Sequence, residues 1–323
     1  MKSLYIFLRA CTFALTMLSA LTSESFAQEA KSESPREAIT GPRELIFQGD
    51  YDGAIKGFED VAQKYPRSPA GDFYHAVTLT WKSYVDARRL EKGDRKLDSE
   101  IESLLESAIK KAEAILARDD KSKEDRITAL YYLGSAYSIR SRVSLFQNHA
   151  LPAARHARTA QNHFEELIGL DPDYADAYFA SGSIYYQVGL LTDSPIGRVA
   201  TTMLGAKALP VGDREKGLKY LKTAAERGPS SSVDAKFALL EIYTFNENLF
   251  DEAATLAREL QARYPENQTF WRYLLRAYAG LKDRPALDRT AKEILARAKE
   301  GKPNFGSFMK SEAQRFMAEA RRW

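Results

Sequence analysis

The sequence predicts an all-α protein, a superhelical array of antiparallel helix pairs with one inserted helix and a C-terminal capping helix. Three observations predict it. Apolar residues recur with a helical period and no long window shows strand-like alternation. Small and aromatic residues return at the same relative places along the chain. Prolines close successive helices at related spacings: Pro229 to Pro265 is 36 residues, Pro172 to Pro229 is 57, and Pro66 to Pro172 is 106.

The elements follow in order. Residues 1–27 are expected to be a secretory signal peptide. Lys2 and Arg9 form a positive start, Cys11–Leu21 an apolar run, and Ser25, Phe26 and Ala27 a small-x-small cleavage site. The apolar run is shorter than the roughly 20 residues that span a bilayer. Cys11 lies at the beginning of that run, so the cysteine after it that lipidation needs is missing. Residues 28–37 are polar and small and are expected to be a disordered leader. The repeat array is placed at 38–305 and the capping helix at 306–323.

Within the array, Ala160, Phe164, Leu167 and Pro172 mark a second helix of a pair, and Ala175, Tyr178, Ser181, Gly182 and Tyr185 the first helix of the next. Tyr51, Ala54, Phe58, Val61 and Pro66 repeat the second-helix pattern, as do Phe250, Ala253, Ala257, Leu260 and Pro265. Trp271, Leu274, Leu275 and Tyr278 open another first helix, and Leu133, Gly134 and Tyr137 one more. Small residues let two helices approach, large ones fill the gaps between them, and proline prevents continuation. Longer helices are expected near Ala70–Glu91 and Leu97–Arg118.

The distance from Pro172 to Pro229 implies an insertion at about 190–211. Ser194 and Pro195 read as a helix start, followed by an apolar stripe of Ile196, Val199, Ala200, Met203 and Leu204. A structural brace, a lid over the inner groove and a membrane-interface helix are all open readings of it. The last helix carries Phe305, Phe308, Met309, Ala313, Phe316 and Met317, as a cap for the final repeat requires.

This pattern resembles the tetratricopeptide repeat (TPR) family, whose unit is 34 residues. The resemblance implies a right-handed superhelix with a concave groove lined by the first helix of each pair. By that register the groove holds Tyr131, Ser135 and Ser138, then Asp176, Phe179, Ser183, Tyr186 and Gln187, then Phe237, Glu241 and Phe245, and finally Arg272 and Arg276. The lysine and asparagine clamp with which some relatives hold a terminal carboxylate is absent. Tyr131, Phe179, Ser183, Tyr186, Phe237, Arg272 and Arg276 are therefore expected to bind a protein or peptide partner in the cell envelope. Pro210, Gly212, Asp213, Glu215, Gly217 and Leu221, followed by Ala235–Tyr243, are also similar to the T components of tripartite periplasmic transporters, over about 190–265; those proteins oligomerise and pair with a solute-binding protein. That resemblance implies a transport accessory and a possible homo-oligomer.

Composition narrows the remaining classes. The formal net charge is +3 with acids and bases interspersed, unlike the clustered basic face that nucleic-acid binding needs. Cys11 is the only cysteine, so a mature chain from Gln28 has no disulfide or thiolate metal site. His149, His156 and His163 are spaced seven apart, about 10.5 Å of helical rise, too far for a shared ion with bonds near 2 Å. They are expected to be a solvated or groove-lining row. The sequence has no phosphate-binding glycine loop, zinc-protease motif or nucleophile elbow. A scaffold without catalysis, cofactor or metal is the expectation.

Overall fold

The computed structural model describes residues 33–85, 95–194, 197 and 209–323. The signal-peptide segment, most of the inserted stretch and the end of the helix expected at Ala70–Glu91 lie outside the described residues. The structure is an all-α solenoid; among the described residues there are no strands.

A short helix, α1 (Pro35–Ala38), starts inside the stretch expected to be a disordered leader. Ser34 and Glu37 form a reciprocal capping box, with Glu37 N–H donating to Ser34 Oγ and Ser34 N–H to Glu37 Oε2. Six helix pairs follow among the described residues, each with a first helix A and a second helix B. They are α2 (Thr40–Gln48) with α3 (Tyr51–Lys64), α4 (Ala70–Val85) with α5 (Arg95–Leu116), and α6 (Lys123–Phe146) with α7 (Ala150–Leu170). Then come α8 (Ala177–Asp193) with α9 (Arg214–Arg227), α10 (Ser232–Phe245) with α11 (Phe250–Arg263), and α12 (Gln268–Leu281) with α13 (Arg284–Lys299). The capping helix is α14 (Ser307–Ala320).

Local chemistry sets the helix ends. Asp50, Asp213 and Asp283 accept from the backbone N–H three residues on, satisfying donors left over at helix starts. Pro152 falls in the first turn of α7, where a missing N–H breaks no bond. Gly49 ends α2 in the left-handed conformation at φ 85°, which glycine adopts without steric cost. The small residues of the pattern lie where backbones meet. A β-carbon on Gly182 would come within 2.9 Å of the Gly217 carbonyl, and one on Gly134 within 2.8 Å of the Phe164 ring. Ala54, Ala160, Ala253, Phe58 and Phe164 are all fully buried.

The array also meets itself. Arg43 on α2 pairs with Asp234 on α10 at 2.9 Å and donates to the Ser230 carbonyl. Asn267 Nδ2 donates to the Phe47 carbonyl at 3.0 Å. The Phe47 ring lies 5.6 Å from Tyr264 and 5.8 Å from Trp81, and Trp81 lies 4.8 Å from Phe237. The first pair therefore closes against the fifth and sixth, and one apolar core runs from Ile39 through Phe237 to Ala277. The C-terminal cap has a separate core of Trp271, Leu275, Leu287, Ile294, Phe305, Met309 and Phe316.

Candidate partner-binding cavity

Because the first pair closes the array, the concave face is a half-open cavity of about 120 Å³ and not a continuous groove. Its walls come from the A helices α2, α4, α6, α8 and α10. Phe73, Trp81, Tyr131, Phe179 and Phe237 supply aromatic surface, and Ser135, Ser138 and Ser183 supply hydroxyls. Four of the residues expected to bind a partner, Tyr131, Phe179, Ser183 and Phe237, thus share one cavity, together with Ser135, Ser138, Asp176 and Glu241.

The deep wall is charged and internally paired. Arg43 lies under the Tyr74 ring at 5.0 Å and is only 11% exposed. Burial raises the Asp234 carboxyl above the usual carboxylate range, and the Arg43 guanidinium and a Trp81 hydrogen bond only partly offset this. Asp176 Oδ1 accepts from the Ser230 and Ser231 N–H groups and from the Ser231 hydroxyl, at 2.8–2.9 Å. Arg36 approaches the other oxygen at 3.7 Å. Nearer the mouth, Glu241 accepts from the Tyr273 hydroxyl at 3.0 Å. Burial raises its carboxyl too, with Arg142 and Tyr273 opposing.

Three of the residues expected to bind a partner lie elsewhere. Tyr186 is fully buried in the α8–α9 contact, where its backbone stands so close to Gly217 that a β-carbon there would sit 2.6 Å from the Tyr186 nitrogen. Its hydroxyl donates to Glu247 at 2.5 Å, and burial with that bond pushes its pKa up to about 12. On the helical wheel residue 186 falls only about 20° outside Phe179, at the edge of the cavity-facing stripe, and the close approach of Gly217 on α9 takes it into the helix contact. Arg272 and Arg276 are covered by α14, which brings Glu312 to 4.0 and 3.9 Å of them. Phe308 lies under the Arg272 guanidinium at 4.8 Å. These arginines hold the cap on the array.

The histidine row is also corrected. His156 and His163 flank the Tyr137 ring at 5.9 and 6.1 Å, and burial lowers both pKa values. They are half-buried in the α6–α7 contact, so they form neither a solvated row nor part of the cavity.

Two features escaped the sequence reading. Arg43 sits on a nine-residue helix without a repeat signature. The other is a set of exposed apolar side chains at the connections from A to B helices, here called the lip. Among the described residues eight large apolar side chains are exposed, and seven of them (Leu145, Phe146, Leu151, Leu191, Val211, Phe245 and Leu249) lie at A-to-B connections. Helix direction alternates, so these connections share one rim of the array. Phe146 and Phe245 each stand four residues beyond a mouth residue, Arg142 and Glu241, and Leu191 stands eight beyond Ser183, so each continues a cavity-lining stripe.

Among the described residues no helix is long and apolar enough to cross a membrane. A family model described as tetratricopeptide repeat matches residues 149–196, which spans α7 and α8. Among solved structures the chain is similar to a thermophilic TPR protein of Thermus thermophilus, at 17% identity and a TM-score of 0.43, over 77% of this chain and 99% of that one. No curated protein matches the chain. The family match falls on the Ala160–Tyr185 stretch, where the repeat spacing in the sequence is densest.

Proposed function

We propose that this chain is an exported, non-catalytic repeat scaffold that holds a protein partner over the mouth of its concave cavity. The observation that carries the reading is the lip. Phe146, Leu191 and Phe245 are 61%, 54% and 53% exposed at the outer ends of three cavity-lining stripes. Contiguous exposed apolar surface beside polar groups marks an interaction site, and anchors of this kind dominate binding energy when a partner covers them. The signal-like residues 2–27 support export to the periplasm or beyond.

The test uses tagged protein expressed from the full chain. N-terminal sequencing of the exported product is expected to begin at or beside Gln28; an intact Met1 on cytosolic protein only would overturn export. Partner capture from envelope extracts is expected to fall at least tenfold in the Phe146→Ser, Phe245→Ser double variant with helicity unchanged. Equal capture by both proteins would overturn the lip as the docking face. Neighbouring genes for a solute-binding protein would favour a transport accessory over a general scaffold.

A further inference from the structure

We infer that the cavity takes a short uncharged group, an apolar stem with one hydrogen-bonding end, the chemistry shared by small amides and alcohols and by side chains such as glutamine and threonine; this deepens the scaffold reading and rests on it. The charged groups of the lining already have partners within the protein. Arg43 is held by Asp234 and by the Ser230 carbonyl. Asp176 accepts three bonds from Ser230 and Ser231. Glu241 accepts from the Tyr273 hydroxyl, and Arg142 offsets part of its charge. An entering cation would meet Arg43 and Arg142, and an entering anion Asp176, Asp234 and Glu241. Neither would find an unpaired countercharge to offset the loss of its hydration shell.

The hydroxyls of the lining have two fates. Thr80 and Ser183 donate to the carbonyls four residues back, at 2.9 and 3.0 Å. Ser135 and Ser138 on α6 also line the space but make no hydrogen bond among the described residues. Residues three apart on a helix hold their β-carbons about 5–6 Å from each other. Each hydroxyl can donate and accept, so one amide or alcohol end can engage both. Val77, Trp81, Ile139, Phe179 and Phe237 supply apolar surface for the stem, and apolar walls with a few placed polar groups are the usual make-up of a small-ligand site. Size sets the length. The space of about 120 Å³ is smaller than the roughly 150 Å³ cavity that holds benzene, so a stem of about four carbons fills it. An extended peptide backbone has no room there.

Calorimetric titration of the full chain with butyramide, butylammonium and butyrate, which are nearly equal in size, tests the charge. Butyramide is expected to bind at least tenfold more tightly than either ion. An ion that binds as tightly as butyramide, or no measurable butyramide binding, would overturn the proposal. The Ser135→Ala, Ser138→Ala double variant is expected to weaken butyramide about fivefold without lowering Tm, the scale of one lost hydrogen bond. Unchanged affinity in that variant would overturn the site as well. Partner capture in saturating butyramide distinguishes the source. Reduced capture assigns the group to a side chain of the partner, whereas unchanged capture assigns a free molecule. If the lip variants abolish capture but the wild type does not prefer butyramide to the ions, the scaffold reading stands and the uncharged site falls.

Discussion

The middle and the C-terminal end of the array present the same A-helix register to opposite fates. At α8 and α10 that register carries Phe179, Ser183 and Phe237, which face a cavity. At α12 it carries Arg272 and Arg276, which α14 covers through Glu312 and Phe308. A groove-facing position in a repeat therefore becomes a site only if no later helix lies on it. Charge is no guide to which case applies, because the covered end is the more cationic one.

Four substitutions can break or sharpen this contrast. Phe316→Ala, in the cap core at 4% exposure, is expected to cost about 3–5 kcal/mol, whereas Phe179→Ala, on a cavity wall, costs on the order of 1–2 kcal/mol because it enlarges an existing void. Equal Tm losses would mean that the middle is packed as tightly as the end. Arg43→Met strands Asp234 and is expected to cost about 3–5 kcal/mol; a small loss in urea unfolding would show that the closing contact is marginal. Arg272→Ala is expected to cost about 1 kcal/mol and to leave partner capture unchanged, and a tenfold loss of capture would return α12 to the binding surface.

The smallest effect is electrostatic. Burial raises the folded-state pKa of Glu241 above its unfolded value, so ionising it penalises the fold at neutral pH. Glu241→Gln is expected to melt slightly above the wild type at pH 7. That gap should close as pH falls through the raised pKa to the ordinary glutamate range, where the wild-type carboxyl is protonated in both states. Parallel Tm curves from pH 7 to 4 would contradict this sign.

What the sequence reveals depends on how local the physics is. Phe164 and Ala253 could be placed in helix contacts because their partners lie on adjacent helices and helical spacing encodes the face. Tyr131, Phe179, Ser183 and Phe237 could be grouped for the same reason. The register puts Tyr186 in the groove, whereas the close approach of Gly217 seats it in the helix contact, and no spacing within α8 encodes that neighbour. The Arg43–Asp234 pair joins residues 191 apart, and no periodicity encodes a contact at that range. The sequence pattern of α14 identified a cap, but not that its polar edge would bring Glu312 onto Arg272 and Arg276.

The contact of the first pair with the fifth and sixth alters what the chain can tolerate. In an open solenoid each repeat touches only its neighbours, so repeats can be added or removed with nearly additive effects. Here Phe47 and Arg43 are seated on Tyr264, Asn267 and Asp234. Deleting one internal pair would shift those three residues by a full unit and leave the beginning of the chain with no surface to close on. Repeat number is therefore set by closure and not by length. The final contacts must also form across most of the sequence, which makes folding slow for an all-helical protein and ties both ends into a single unfolding event.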